Sequence, residues 1–129
     1  MPKGLTQDAG WQIGVSATLP FPRSVVWEFM VSPEGIALWL GEGAELPPSP
    51  TKGTTFETVD GVTGEIRSYR PLDRIRATRG TTTVQLAVSS SGDRSVLRFH
   101  QEHLASAEER EQQRAHWQGV MERVTKELS

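Results

Sequence analysis

The sequence has no cysteine, no long apolar run and no excess of one charge. Without cysteine, disulfides, iron–sulfur clusters, zinc–thiolate sites and a catalytic thiol are excluded. The densest apolar cluster, Val25 to Val31, contains Glu28 and is far too short to span a bilayer. The formal net charge of −2 and the isoelectric point near 5.9 argue against nucleic acid or an anionic membrane as a partner.

The length and composition predict a single globular domain. A chain of 129 residues with 36% hydrophobic and 23% charged residues can build one core. Residues 1–10 lack the apolar stretch of a signal peptide and read as a flexible lead-in, so we expect a cytoplasmic protein whose domain covers residues 11–129.

The first third of that domain predicts a strand followed by two short helices. Apolar and polar residues alternate from Trp11 to Leu19, as in a half-buried strand. Arg23 to Val31 has apolar pairs at i,i+4 spacing, which favours a buried helix. Ser32-Pro33-Glu34 then gives a hydroxyl cap, a proline and an acid, and this second helix ends at Gly41.

The rest of the chain predicts a meander of strands and one long helix. Residues 42–53 are rich in Pro and Gly and form a loop. Five short strands follow up to Leu104, separated by turn signals such as Asp60-Gly61. Ser106 to Glu109 forms a capping box, and the helix after it carries an apolar stripe along one face. A bent antiparallel sheet must cover its apolar face, so we expect it to wrap this helix.

Ordered sequence markers support this α+β architecture by resemblance. Val26-Trp27, Ser32-Pro33-Glu34 and Trp39 come first, Gly64-Glu65-Ile66 and Pro71 to Ile75 follow, and His116-Trp117 opens the closing helix stripe. The set resembles the family of homologues of the activator of heat-shock chaperone ATPase, within the SRPBCC (START-like) superfamily. The resemblance implies a helix-grip fold: a six-stranded curved antiparallel sheet around a long C-terminal helix, with two short helices after the first strand.

The polar residues give no constellation that is typical of catalysis or metal binding. His100 and His103 are separated by an odd number of strand positions, so they point to opposite faces unless a bulge intervenes, and we expect no metal site. Glu28, Glu65 and Glu102 are candidate general acids or bases, although solvated carboxylates are favoured. Five arginines between Arg67 and Arg79 indicate either a solvated outer sheet face or an anion-binding surface.

The aromatic and methionine residues carry the functional prediction. A curved sheet that grips one helix leaves room for an apolar ligand between them, and ligand sites are mostly apolar concavities. We expect Gln101 and Tyr69 as polar contacts and Arg76 as an inward cation for a ligand carboxylate. The predicted ligand-binding residues are Phe29, Trp39, Phe56, Tyr69, Arg76, Phe99, Gln101, Trp117 and Met121.

The sequence is compatible with three functions. The favoured one is binding of a small hydrophobic molecule, either a lipid or an aromatic, polyketide-like compound, without a cofactor. The second is a cyclase- or hydrolase-like enzyme that uses the same cavity, because the fold class hosts both. The third is a chaperone- or protein-binding module, which the family resemblance implies. A homodimer is compatible with each of them.

Overall fold

The computed structural model describes residues 10–129 and the backbone of residues 5–6. Its elements in chain order are β1 (Leu5–Thr6), β2 (Gly10–Leu19), α1 (Arg23–Met30), α2 (Pro33–Trp39), β3 (Thr55–Glu57), β4 (Thr63–Arg70), β5 (Arg74–Arg79), β6 (Thr82–Ser91), β7 (Arg94–Leu104) and α3 (Ala107–Leu128). None of the described helices is long and apolar enough to cross a membrane.

All strands belong to one antiparallel sheet in the order β1-β2-β7-β6-β5-β4-β3. After β2 the chain crosses to the far edge and meanders back until β7 pairs with β2. The predicted fold class is confirmed, with β2 to β7 as the six predicted strands. The seventh, Leu5–Thr6, falls within the predicted lead-in and pairs with Gly10 and Trp11, whereas residues 1–4 and 7–9 lie outside the described residues.

The two short helices meet at a very close backbone contact. The Ser32 hydroxyl accepts a hydrogen bond from the Gly35 N–H at 3.2 Å, as a helix N-cap does. A Cβ atom at Gly35 would lie only 2.1 Å from the carbonyl oxygen of Phe29. Glycine at this position therefore allows α2 to turn tightly against the end of α1.

The long helix α3 begins at the predicted cap and buries its predicted stripe. Ser106 accepts from the Glu109 N–H at 3.1 Å, and the Glu109 carboxylate accepts from the Ala105 N–H at 3.1 Å. The buried residues of the helix are Trp117, Val120, Met121 and Val124. Burying each of these large apolar side chains stabilises the fold by roughly 1.5–3 kcal/mol.

A bulge in β7 sets the end of the sheet on which α3 rests. Ile13 pairs with Gln101 whereas Trp11 pairs with Leu104, so β7 holds one extra residue in this interval. His103 takes a positive φ of 65° there. The extra residue reverses the alternation of inward and outward side chains along β7. As a result, Gln101 and Leu104 are both buried although an odd number of positions separates them.

Candidate functional site

The interior under α3 is occupied by an aromatic pair and a chain of buried hydrogen bonds. Phe99 and Trp117 stack with their ring centroids 4.8 Å apart. The Trp117 indole N–H donates to Gln101 Oε1 at 2.9 Å, and the Gln101 amide donates to the Thr82 hydroxyl at 3.0 Å. Thr82 in turn donates to the Arg79 carbonyl at 2.8 Å. These groups satisfy one another's hydrogen bonds, so Gln101 links α3 to the sheet. The amide atoms of Gln101 that make these bonds are therefore not free to bind a ligand.

Met121 lies at the seam between α3 and β2, where the surface is hollow. The hollow encloses about 620 Å³ and is lined by Val15, Ser16, Gln118, Met121, Glu122, Thr125 and Lys126. Met121 itself is buried, but most of the other side chains are polar and the hollow is wide open to solvent. This seam therefore differs from an enclosed ligand site mainly in its exposure to solvent.

Three other predicted lining residues lie elsewhere in the core or at its margin. Trp39 is fully buried, and its indole N–H donates to the Met30 carbonyl at 3.0 Å. Phe29 is half-buried on α1. Phe56 sits on β3 over Gly64, where a Cβ atom would come within 2.5 Å of the phenyl ring. The predicted residues thus do not line one continuous cavity.

Arg76 lies on the convex face of the sheet, outside the interior. Its neighbours Ile75 and Ala77 are fully buried, so alternation along β5 turns Arg76 outward. There it forms an ion pair with Glu102 at 3.1 Å. The expectation of an inward guanidinium is therefore corrected.

An apolar groove lies under the loop that joins α2 to β3. It consists of two adjoining cavities of about 320 and 260 Å³, which share Val31, Ile36 and Leu46 as lining residues. The larger cavity is also lined by Pro47, Pro48, Pro50, Tyr69 and Ile75, and the smaller by Pro33, Ala44 and Glu45. We call this combined space the loop groove. It is more enclosed than the seam beside Met121, and its lining is almost entirely apolar.

The loop groove has a polar group in Tyr69. The side chain is half-buried, and its ring lies 6.1 Å from that of Trp27 at a tilt of 49°. Its hydroxyl makes no hydrogen bond with any described residue. Of the nine predicted residues, Tyr69 is the one that lines this groove, and its hydroxyl is able both to donate and to accept a hydrogen bond.

The loop over the groove is held at both ends. The Gly53 N–H donates to the Ile66 carbonyl at 2.8 Å, and the Arg79 guanidinium donates to the Leu40 carbonyl at 2.8 Å. Pro50 is buried, and proline fixes its own backbone φ. The roof of the groove is thus anchored to the sheet and stiffened by its own sequence.

Few polar side chains are buried in the part of the chain that the structure describes. The buried polar residues in the described part are Thr58, Thr82, Ser95 and Gln101, none of which is a carboxylic acid or a histidine. No group of three or more residues with metal-ligating side chains occurs within residues 10–129. On the convex face, partial burial lowers the pKa of His100; Glu102 raises it and Arg76 lowers it further.

Sequence reasoning missed most residues of the loop groove. Leu46, Pro47, Pro48 and Pro50 fall in the segment predicted as a loop, Ile36 in the second predicted helix and Ile75 in a predicted strand. The available signal was Ala44 and Leu46 beside three prolines in an otherwise polar segment. Apolar residues in a loop usually pack onto something, so this segment could have been recognised as a cover.

The described elements build the predicted helix-grip fold, a curved antiparallel sheet around a long C-terminal helix. The chain is similar to DynU16, a protein in the dynemicin biosynthetic locus, with a TM-score of 0.72 and 21% identity over 91% of this chain. It spans about half of that protein, namely 46% of its length. CalU16 from Micromonospora echinospora matches with a TM-score of 0.71 and 19% identity, covering 90% of this chain and 74% of that one.

A third solved structure has nearly the same length as this chain. CV1439 from Chromobacterium violaceum matches with a TM-score of 0.71 and 19% identity over 91% of this chain and 96% of that one. No protein-family model and no curated protein matches the sequence. At these identities the likeness establishes the fold, and the function has to be argued from the site.

Proposed function

We propose that the protein binds a small hydrophobic molecule, lipid-like or aromatic, in the loop groove. The observation that carries the proposal is a partly enclosed apolar cavity of about 320 Å³ lined by Tyr69, whose hydroxyl makes no hydrogen bond with any described residue. Ligand sites are typically apolar concavities of roughly 300–1,000 Å³ with a few polar groups that fix orientation. The resemblance of the fold to a protein of a biosynthetic locus is consistent with a small-molecule ligand.

The ligand would enter under the loop and remain short of the interior beneath α3. To reach deeper, it would have to separate the stacked rings of Phe99 and Trp117 and break the buried bond from Trp117 to Gln101. That cost favours the loop groove over the space first expected between sheet and helix. Tyr69 would bind a hydroxyl, carbonyl or carboxylate at one end of the ligand.

Binding is favoured over catalysis and over a chaperone partner. An enzyme of the cyclase or hydrolase type would need groups to move protons, and the buried part of the described chain supplies no carboxylate or histidine. A protein-binding role rests on the family resemblance alone. Among residues 10–129 the large exposed apolar side chains are Val25, Val59 and Leu72, and they come from three separate segments. A cytoplasmic location and a homodimer stay predictions.

A titration with two probes and a matched pair of variants tests the proposal. We expect decanoate or 2-naphthol to shift the backbone amide NMR signals of Val31, Ile36 and Leu46. Val31→Phe places a ring at the junction of the two cavities and should weaken binding at least about tenfold, since the ligand loses its contact area. Val25→Phe makes the same change on an exposed site of α1 that lines neither cavity, and it should leave the affinity unchanged.

The hydroxyl of Tyr69 is tested separately. Tyr69→Phe keeps the ring and removes one hydrogen bond, which predicts about a two- to tenfold loss for 2-naphthol. Equal weakening of binding by Val31→Phe and Val25→Phe would contradict the proposal. Chemical shift changes confined to the seam beside Met121 would contradict it as well. Absence of shifts with both probes and with further lipids and aromatics would also reject it.

A further inference from the structure

The convex face of the sheet, opposite the groove, carries two rows of side chains that the proposed function does not use. Strand register aligns Arg74, Ala87, Arg98 and Ser16 in one row across β5, β6, β7 and β2. Arg74 and Arg98 are therefore two strand spacings apart, about 10 Å between their Cα atoms. The alanine between them has a short side chain, so the two guanidinium groups flank a low point in the surface.

The neighbouring row continues this low point. It contains Arg76, Gln85, His100 and Gly14, again in register. Gly14 has no side chain to fill the space next to His100: a Cβ atom there would stand 3.6 Å from the imidazole Nδ1 and touch nothing closer. The second row, together with Ser16 and Arg98 of the first row and with Glu102, lines a cleft of about 520 Å³, whereas Arg74 and Ala87 lie outside it. Unlike the loop groove, this cleft is markedly polar.

The charges around the cleft do not cancel. Glu102 is held by Arg76 at 3.1 Å and lies 3.5 Å from His100 Nε2, so its charge is already compensated. Arg98 and Arg74 have no carboxylate within 4.0 Å among the described residues. The Nε atom of Arg74 is also buried without a hydrogen-bond partner. Of the arginines that line the cleft, Arg98 is thus the uncompensated one, and a second uncompensated arginine, Arg74, lies two strands away on a chain whose net charge is −2.

From this arrangement we propose that the convex cleft binds a phosphate group, presented by a small phosphomonoester or by inorganic phosphate. Arg98 would supply a forked pair of N–H donors, and Ser16 and His100 would add donors from other directions. Donors that converge from several directions suit a tetrahedral oxyanion better than a planar carboxylate, which one guanidinium alone can satisfy. The two rows contain no phenylalanine, tyrosine or tryptophan on which successive nucleic-acid bases could stack.

The test uses inorganic phosphate, glycerol 3-phosphate and acetate at constant ionic strength, with NMR detection of the His100 imidazole and of the Gly14 and Ser16 amides. We expect phosphate and glycerol 3-phosphate to shift these signals with similar affinities, and acetate to bind at least about tenfold more weakly. Bound phosphate should also raise the pKa of His100, because it places negative charge next to the imidazole.

Two arginines of β7 provide the matched variants. Arg98→Gln should weaken phosphate binding at least about tenfold, since it removes a charged donor pair. Arg94→Gln removes the same charge from the same strand and face, about 13 Å along β7 and outside the cleft, and should change the affinity less than twofold. Both side chains are exposed, so circular dichroism should show folded proteins.

Four outcomes would overturn the proposal. One is equal weakening of phosphate binding by Arg98→Gln and Arg94→Gln, which would indicate attraction by the overall electrostatic field of the protein and not by the cleft. Another is acetate binding as well as phosphate does, and a third is the absence of shifts up to tens of millimolar phosphate. The last is tighter binding of a single-stranded oligonucleotide than of glycerol 3-phosphate, with equal dependence of that binding on Arg94 and Arg98. This outcome would indicate a nucleic-acid surface.

Discussion

Replacing Gln101 by leucine tests whether the buried polar chain holds α3 on the sheet. Gln101 is 3% exposed and Trp117 is 2% exposed, so water cannot take over the lost hydrogen bonds. Gln101→Leu has a similar side-chain volume, yet it leaves the Trp117 indole N–H unsatisfied, at a cost of about 1–3 kcal/mol. Thr82 also loses the hydrogen bond it accepts, worth about 1 kcal/mol. A leucine gains some apolar burial, so the expected net loss is about 2–3 kcal/mol.

A double-mutant cycle separates the hydrogen bond from changes in packing. Trp117→Phe removes the indole donor, and in that background Gln101→Leu leaves no unsatisfied N–H behind. We expect a coupling free energy of about 1–2 kcal/mol between the two sites. The measurement is urea unfolding followed by far-ultraviolet circular dichroism, with unchanged m values as the check on two-state behaviour. Additivity within about 0.5 kcal/mol, or a Gln101→Leu variant as stable as the parent, would refute the reasoning.

Two further predictions concern a glycine pair and a histidine. Gly35→Ala should lower the free energy of unfolding by at least about 1–2 kcal/mol, because the new Cβ atom meets the Phe29 carbonyl oxygen. At Gly119 a Cβ atom would meet nothing within 4 Å, so Gly119→Ala should raise the free energy of unfolding by up to about 1 kcal/mol through helix propensity. Thermal unfolding compares them, and equal signs would contradict the close contact. For His100, NMR titration should find a pKa below 6.5, raised by Arg76→Gln and lowered further by Glu102→Gln. Because the folded state disfavours the protonated imidazole, its contribution to stability declines as the pH falls from about 6.5 through the folded pKa. A flat profile, equal to that of His100→Gln, would count against this assignment.

The sequence predicted the elements of the fold because local signals and packing agree there. The alternation in β2, the Ser32 cap of α2 and the Ser106 cap of α3 are all local patterns, and each is found where it was expected. The bulge in β7 could not be predicted, because it depends on the pairing of Trp11 with Leu104 across most of the chain.

The site was less predictable than the fold for a physical reason. Whether an apolar residue lines a void or fills the core depends on how neighbouring elements approach, and composition is the same in both cases. Trp117 and Tyr69 were assigned alike, yet one is stacked and hydrogen-bonded while the other lines a groove. Arg76 was a different error, since its flanking Ile75 and Ala77 already indicated an outward position.

The pairing of β2 with β7 has a consequence for how the chain folds. The longest ladder of β2 joins residues near 11–19 to residues near 95–104, and the Arg110 guanidinium donates to the Gln12 carbonyl at 2.7 Å across 98 positions. The chain loses much conformational entropy when it brings such distant residues together, and it does so before the contacts stabilise it. Folding should therefore be slow relative to helical domains of this size. On the ribosome, β2 must wait until residues 94–104 have been synthesised before it acquires its main partner. During that interval the nascent chain has to stay soluble with its strands unpaired.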